Sequence, residues 1–206
     1  FVIEVNNGEV IEDVSGCTDS TADNYDLVAN IDDGSCIWSQ TIFLENGWNL
    51  FSTNLTPIDN DFIDLFSSIV GLVVIVKDNE GLAYLPEWEF NGIGNLIFSQ
   101  GYQVKTLGNA ELVINGFALE PENNPITLTT GWNMISYLRN SPADAGLVFL
   151  SIIESNNLVI AKDNQGNAFL PEWNFNGIGN LLSGEGYQMK VIDSQELLYL
   201  SNDLEY

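Results

Sequence analysis

Short apolar blocks separated by Gly, Asn and Asp run along most of the chain, which is typical of short β-strands joined by turns. Residues 41–53 predict a strand, a turn at Asn46-Gly47 and a second strand, because Asn-Gly is the strongest short-range signal of a β-hairpin. Four further strands of the same half are predicted at residues 72–77, 82–85, 101–107 and 111–117. We expect the first two of these to pair with each other, and the last two to form another hairpin.

One helix is predicted in each half by apolar residues at helical spacing. The first helix is predicted within residues 58–69, with Asp59 or Asn60 as its N-cap. Four of its residues lie on one face, namely Phe62, Leu65, Phe66 and Ile69. In the second half, Ser141-Pro142 opens a similar helix, with one face formed by Leu147, Leu150 and Ile153. Each half therefore predicts a small β-barrel or sandwich with a short helix at one end.

The same elements occur twice because the chain contains an internal duplication. Residues 77–96 read KDNEGLAYLPEWEFNGIGNL and residues 162–181 read KDNQGNAFLPEWNFNGIGNL, with 16 of 20 positions identical. We expect a mainly β fold with two tandem homologous modules, residues 41–119 and 126–206, joined by a short polar linker. A catalytic site is usually unique, whereas a packing arrangement or a binding surface can be used twice.

Two segments precede the modules. Residues 1–16 alternate like a strand that could pair within the chain or with the sheet edge of a neighbouring subunit. Residues 17–40 form an Asp-rich loop, and its two cysteines, Cys17 and Cys36, are the only ones in the chain. The loop has too few apolar residues to form a core of its own, and we therefore expect a Cys17–Cys36 disulfide. In the chain-entropy model such a disulfide stabilises the folded loop by about 3 kcal/mol. A disulfide of this kind indicates an extracellular setting.

The acidic loop is also rich in the oxygen ligands that Ca²⁺ prefers. The candidate calcium ligands are Asp19, Asp23, Asn24, Asp26, Asp32 and Asp33. The spacing differs from that of an EF-hand, because no Glu stands at the twelfth position. A disulfide-stapled acidic turn without an ion is the alternative.

The charge balance narrows the classes of partner and of chemistry. The chain carries 5 basic and 29 acidic residues, a net charge of −24, and this repels nucleic acids and anionic membrane surfaces. Cations and neutral ligands such as glycans are the expected partners, and no apolar run is long enough to insert into a membrane.

The chain has no His, which removes Ser-His-Asp and Cys-His catalysis. We therefore expect no enzymatic activity, with a carboxylate-based hydrolase as the remaining enzymatic alternative.

The few basic residues occupy matched positions in the two modules. Lys77 corresponds to Lys162 and Lys105 to Lys190, whereas Arg139 has no counterpart. We expect these lysines to pair with nearby carboxylates, the candidates being Asp78, Glu87, Asp163 and Glu172.

The aromatic loop of the duplicated block is the candidate ligand-binding feature. Trp88 and Phe90, with their counterparts Trp173 and Phe175, alternate with Glu and Asn and could form a sugar-stacking platform. The alternative is an ordered loop whose rings close the open end of the module. Solvent exposure of the two tryptophans distinguishes these interpretations.

Residues 16–36, GCTDSTADNYDLVANIDDGSC, resemble the GCTD…NY…DDGSC segments of very large secreted and surface proteins of marine and gliding Bacteroidota, also present in some marine phage structural proteins. The GWNLFSTNL, LPEW and GYQVK stretches are similar to β-modules of such proteins. The resemblance implies secretion and a structural or adhesive role at a cell surface, in a filament or on a virion, with self-assembly or other surface proteins as partners. It brings no catalytic residues. The expected function is thus a non-enzymatic extracellular adhesive module, and the alternative is a carbohydrate-binding module that uses the LPEW loops.

Overall fold

The structure is a computed structural model that describes residues 5–6, 9–10 and 12–204. It is mainly β, as predicted. The N-terminal part and the first half contain β1 (Val5–Asn6), β2 (Glu9–Val10), β3 (Ser15–Gly16), β4 (Ile31–Asp32), β5 (Trp38–Leu44), β6 (Gly47–Phe51), β7 (Leu55–Pro57), α1 (Phe62–Leu65), a 3₁₀ helix (Ser67–Leu72), β8 (Val73–Lys77), β9 (Ala83–Leu85), a 3₁₀ turn (Pro86–Trp88), β10 (Phe90–Asn91), β11 (Tyr102–Thr106) and β12 (Ala110–Ala118).

The second half repeats this order after a connecting 3₁₀ turn. It contains that turn (Pro121–Asn123), β13 (Ile126–Leu128), β14 (Gly131–Ser136), β15 (Ala143–Asp144), α2 (Ala145–Val148), α3 (Leu150–Glu154), β16 (Leu158–Lys162), β17 (Ala168–Leu170), a 3₁₀ turn (Pro171–Trp173), β18 (Phe175–Asn176), β19 (Asn180–Leu181), β20 (Gly186–Val191) and β21 (Gln195–Leu197).

Each half is built on an open five-stranded sheet. The strand order is β10-β9-β8-β11-β6 in the first half and β18-β17-β16-β20-β14 in the second. A three-stranded sheet, β5-β12-β7, faces the first of these, and the pair β13-β21 is its counterpart in the second half. In the described part of the chain these strand orders are linear, so the halves are sandwiches and not closed barrels.

Two of the predicted hairpins are wrong, because their strands belong to different sheets. β5 pairs with β12 whereas β6 pairs with β11, so the turn at Asn46-Gly47 connects two sheets. The side chain of Asn49 explains this: its Oδ1 accepts the N–H of Glu45 and its Nδ2 donates to the carbonyl of Glu45, both at 2.8 Å. These are the backbone groups that a hairpin partner would need. The hairpin of β8 and β9 is confirmed.

Each half has its own apolar core, dominated by aromatic side chains. In the first half the core residues come from both sheets and α1, and the large rings are Phe51, Phe62, Phe66, Tyr84 and Tyr102. In the second half they are Tyr137, Phe149, Phe169, Tyr187 and Tyr199. The ring centroids of Phe62 and Tyr102 lie 5.1 Å apart in an edge-to-face arrangement, which aromatic pairs favour.

The helices differ in part from their predictions. α1 begins after Asp61, whose carboxylate accepts the N–H of Ile63 at 2.8 Å, and so the N-cap lies one or two residues later than predicted. The predicted buried face of the second helix is wrong, because Leu147 and Leu150 are exposed. The helix starts at the N-cap Asp144 and breaks at Phe149, and this turns a different set of residues inward: Ala145, Val148, Phe149 and Ile152.

The two halves meet through matching sets of contacts, which we call the reciprocal interface. Ser52 donates its backbone N–H to the carbonyl of Gly184 (3.0 Å) and its hydroxyl to the carbonyl of Glu185 (2.6 Å). At the equivalent positions Ser136 donates its N–H to Ser99 (3.5 Å) and its hydroxyl to Gln100 (2.8 Å). Because each contact recurs with the halves exchanged, an approximate two-fold axis relates them.

Glycine allows the halves to approach at this interface. A Cβ on Gly101 would lie 2.7 Å from the carbonyl oxygen of Ile135, and one on Gly186 would lie 2.8 Å from that of Phe51. No side chain fits at such distances. The glycine of each GYQ motif is therefore an interface residue.

The N-terminal segments add short elements to this frame. β1 and β2 form a small hairpin with each other, while β3 and β4 pair in parallel. The carbonyl of Val14 accepts the N–H of Asn30 at 2.9 Å, which ties residues 12–16 to the acidic loop. The other residues of the predicted strand at 1–16 lie outside the described part of the chain, and so the pairing with a neighbour stays a prediction.

Candidate functional site

The aromatic loop is formed by the connection between β9 and β10. Pro86 opens a 3₁₀ turn, and Glu89 then takes the left-handed conformation with φ +49°. This reverses the chain so that Phe90 pairs with Leu85. The second copy makes the same turn with Asn174 at φ +49°. Asn tolerates this conformation better than Glu does, and the second loop is therefore the less strained of the two.

The tryptophans of both loops point into solvent. Trp88 and Trp173 are each 71% exposed, and Phe90 and Phe175 are 53% and 51% exposed. The interpretation in which these rings close the module is wrong, because the cores are already filled by the aromatic clusters described above. The four rings predicted to bind ligand therefore form an accessible surface.

Phe90 is held against the sheet by a glycine. A Cβ on Gly92 would lie 2.9 Å from the Phe90 ring and 3.1 Å from the carbonyl of Ala83. Gly177 has the same relation to Phe175, at 2.8 Å. Any side chain at this position would collide with the ring, and this explains why the first glycine of the NGIGN motif is present in both copies.

The asparagine of the same motif ties the loop to the helix. Asn91 accepts the N–H of Gly94 and donates to its carbonyl, both at 2.8 Å, and it also donates to the carboxylate of Asp61 at 3.2 Å. Asp61 is the N-cap of α1. Asn176 repeats these contacts with Gly179 and the N-cap Asp144. The loop is thereby pre-organised in both halves.

Tryptophans that the sequence analysis did not single out lie beside the lysines. Lys77 Nζ lies 5.4 Å and Lys105 Nζ 6.0 Å from the ring centroid of Trp48. Lys162 lies 5.4 Å from the ring of Trp132. Such cation–π contacts are worth about 0.5–1 kcal/mol at exposed sites. Successive side chains of a strand point to opposite faces of the sheet, so that Trp48 faces solvent and its neighbour Asn49 is buried. This alternation along β6 could have identified Trp48 as exposed from the sequence.

Two of the carboxylates expected to pair with these lysines, Asp78 and Asp163, accept backbone hydrogen bonds. Asp78 is buried and its Oδ1 accepts the N–H groups of Glu80 and Leu82, at 2.9 and 2.8 Å. Asp163 likewise accepts the N–H of Asn167 at 2.8 Å. The aspartates of the KDN motifs thus hold the turn between two strands.

The asparagine of the second KDN motif contributes to the reciprocal interface, since Asn164 Oδ1 accepts the N–H of Leu50 at 2.7 Å.

The tyrosine of each GYQ motif is buried beneath the segment that precedes it. The Tyr102 hydroxyl accepts the N–H of Ile97 at 2.9 Å, and burial raises the pKa of Tyr102 to about 12. The Tyr187 hydroxyl accepts the N–H of Leu182 and donates to Glu185, both at 2.8 Å, and burial raises its pKa as well. Both tyrosines are neutral supports of the fold at physiological pH.

The predicted Cys17–Cys36 disulfide is present, with the two Cα atoms 4.7 Å apart. Trp38 packs on the small cluster that the disulfide forms with Ala22. Asp23 accepts the hydroxyl of Ser39 at 2.6 Å, which fastens the loop to β5.

The other predicted calcium ligands are used in turns of the loop itself. Four aspartates accept backbone N–H groups two residues further along, at 2.8–3.1 Å, namely Asp19, Asp26, Asp32 and Asp33. The N–H and hydroxyl of Thr21 lower the pKa of Asp19, and the hydroxyl and N–H of Ser35 lower the pKa of Asp33. Asn24 bridges Ser35 and Ile37. Within residues 12–204 the side chains do not gather three or more acidic groups into one metal-binding set. Calcium binding stays a prediction, which a melting curve with and without a chelator tests.

Two equivalent clefts lie beside the reciprocal interface, with volumes of about 280 and 360 Å³. The first is lined by Glu45 and Glu185, whereas Gln100 occupies the position of Glu185 in the second. Two acidic residues from non-equivalent positions in one cleft are what the hydrolase alternative requires.

Comparisons with known proteins do not place the chain. It matches no protein-family model, no curated protein and no solved structure. Among the described residues, none of the helices has the length and apolarity that a membrane span requires. The resemblance to bacterial surface proteins therefore stays a prediction, and function has to be argued from the site.

Proposed function

We propose that the chain is a non-enzymatic extracellular adhesive module that binds glycans through its two LPEW loops. The observation that carries this proposal is the 71% exposure of both Trp88 and Trp173 in the same turn. An exposed and rigid aromatic ring beside hydrogen-bonding groups suits the apolar face and the hydroxyls of a sugar.

The two-fold arrangement of the loops supports a polymeric ligand. A chain of repeated sugar units offers the same epitope to Trp88 and to Trp173. When one ligand engages both loops, the apparent affinity can exceed that of a single loop by about 10²–10⁴. Weak individual sites are then sufficient for adhesion.

An extracellular setting agrees with the composition. The Cys17–Cys36 disulfide persists in oxidising surroundings. The net charge of −24 is tolerated best in salty media, where it is screened.

Retention on immobilised polysaccharides tests the proposal. We expect the double variant Trp88→Ala/Trp173→Ala to lose retention and each single variant to lose the avidity of the pair. Leu27→Ala is the matched control, since Leu27 is an exposed apolar residue (85%) in the acidic loop and not in either LPEW loop. Equal retention of the double variant and the wild type would refute the proposal.

A carboxylate-based hydrolase is the second candidate, favoured by Glu45 and Glu185 in one cleft. The carboxylate of Glu185 is already engaged by the Tyr187 hydroxyl, which argues for a structural role. Release of reducing ends from a bound polysaccharide, abolished by Glu45→Gln and by Glu185→Gln, would establish the hydrolase in place of the adhesive module.

A further inference from the structure

The outer face of each five-stranded sheet carries the same row of side chains. We call these rows the strips. The first strip consists of Phe90, Leu85, Ile75, Lys105 and Trp48, and the second of Phe175, Leu170, Ile160, Lys190 and Trp132.

The strand register places the members of each strip side by side. Phe90 pairs with Leu85, while Lys105 pairs with Ile75 on one side and with Trp48 on the other. The register of β8 and β9 brings Leu85 next to Ile75. Five strands about 4.8 Å apart give a strip about 19 Å long. This is a surface for an extended ligand and not for a single sugar.

The positive charge of the chain is concentrated on these faces. Lys105 and Lys190 belong to the strips. Lys77 and Lys162 follow Ile75 and Ile160 by two residues and so lie on the same faces, opposite Gln103 and Gln188. They are all the lysines of a chain with net charge −24. The only other basic residue, Arg139, is 2% exposed.

Three of the lysines are also held in place. Lys77 and Lys105 contact Trp48, and Lys162 contacts Trp132, which restricts side chains that would otherwise lose much rotamer entropy on binding. The opposite end of the strip presents Phe90 on its glycine and, in the adjoining turn, Trp88. Each strip therefore has an aromatic end that suits sugar rings and a cationic end that suits anionic groups.

We propose that each strip binds a linear anionic polysaccharide, with sugar rings on the aromatic end and carboxylate or sulfate groups at the lysines. This rests on the proposed glycan binding and names its ligand class. The acidic remainder of the surface does not forbid such a ligand, because at 0.15 M ionic strength charges are screened beyond about 8 Å. A neutral glycan would make no use of four lysines placed in matched positions.

Polymers that differ only in charge test the proposal. Dextran sulfate is compared with dextran, and polygalacturonate with its methyl ester, by calorimetric titration at 0.15 M salt. We expect at least one anionic polymer to bind tenfold or more tightly than its uncharged partner, and the better of the two identifies sulfate or carboxylate as the ligand group. The variant with all four lysines changed to Gln should lose this preference, and the variant with all four changed to Arg should keep it.

The outcomes separate the two proposals. If the Lys→Gln variant keeps the preference, or if charged and uncharged polymers bind equally, the strip proposal is wrong while glycan binding stands. If no polymer of either charge binds to the wild type, both are wrong.

Discussion

Replacing Gly186 by Ala is the sharpest test of how the two halves are held together. The added Cβ would lie 2.8 Å from the carbonyl oxygen of Phe51 and 3.2 Å from the carbonyl carbon and nitrogen of the same residue. These are backbone atoms, which cannot turn aside as the end of a flexible side chain can. The halves must therefore move apart at this point.

The cost follows from the bonds beside the contact. Ser52 is fully buried and makes two hydrogen bonds across the interface, to Gly184 and Glu185, at 3.0 and 2.6 Å. A typical hydrogen bond contributes about 1 kcal/mol net, and a buried group left without its partner costs about 1–3 kcal/mol. We therefore expect Gly186→Ala to lower the free energy of unfolding by about 2–4 kcal/mol.

Urea unfolding followed by circular dichroism measures this loss. Gly71→Ala is the matched control, because no atom lies within 4 Å of a Cβ there and the backbone is not left-handed. It should leave stability unchanged or raise it by up to about 1 kcal/mol. Gly101→Ala should behave like Gly186→Ala, since its Cβ would lie 2.7 Å from Ile135. If Gly186→Ala unfolds within 1 kcal/mol of the control, the halves do not depend on this contact.

Three further predictions concern single features. Glu89→Asn should raise the free energy of unfolding by about 1 kcal/mol, because φ is +49° there and the second half has Asn at this position; a loss of stability in urea would contradict this. Changing Cys17 and Cys36 to Ser should cost about 3 kcal/mol of loop stability, measured by protease cleavage between them; unchanged resistance would show that the hydrogen bonds suffice. Since burial raises the pKa of Tyr102 to about 12 from the ordinary value of 10, its contribution is intact below pH 10 and is lost as pH rises through 12, by up to about 3 kcal/mol. Tyr102→Phe should flatten that part of the pH profile of urea midpoints, and an unaltered profile would assign the loss to other groups.

The sequence predicted individual strands better than their partners. The strand at β8, the tight turn after it and the return strand β9 were all correct, because strand and partner are separated by only a few residues. The partners of β5 and β6 were wrong, because the side chain of Asn49 occupies the backbone groups of Glu45. Nothing in the local pattern distinguishes a turn within one sheet from a turn between two.

For the candidate site, too, the local sequence pattern did not determine contacts between distant parts of the chain. The duplicated LPEW block pointed to the loops whose rings are exposed, but the sequence pattern favoured rings that close the module, and for Trp88 this was wrong. That outcome depends on whether other rings already fill the core, and Phe51, Phe62 and Tyr102 do so from distant positions in the chain. The strips could not be predicted either, since they depend on the strand register that sets Lys105 between Ile75 and Trp48.

The reciprocal interface makes the two halves complementary to each other. The bonds that join the halves within one chain could also form between the first half of one molecule and the second half of another. The linker at residues 120–125 decides between closure within one chain and exchange between chains, because a short connection gives an effective concentration in the millimolar range. At micromolar protein the chain therefore closes on itself. Crowding or a strained linker would favour domain swapping, and a succession of such exchanges is open-ended.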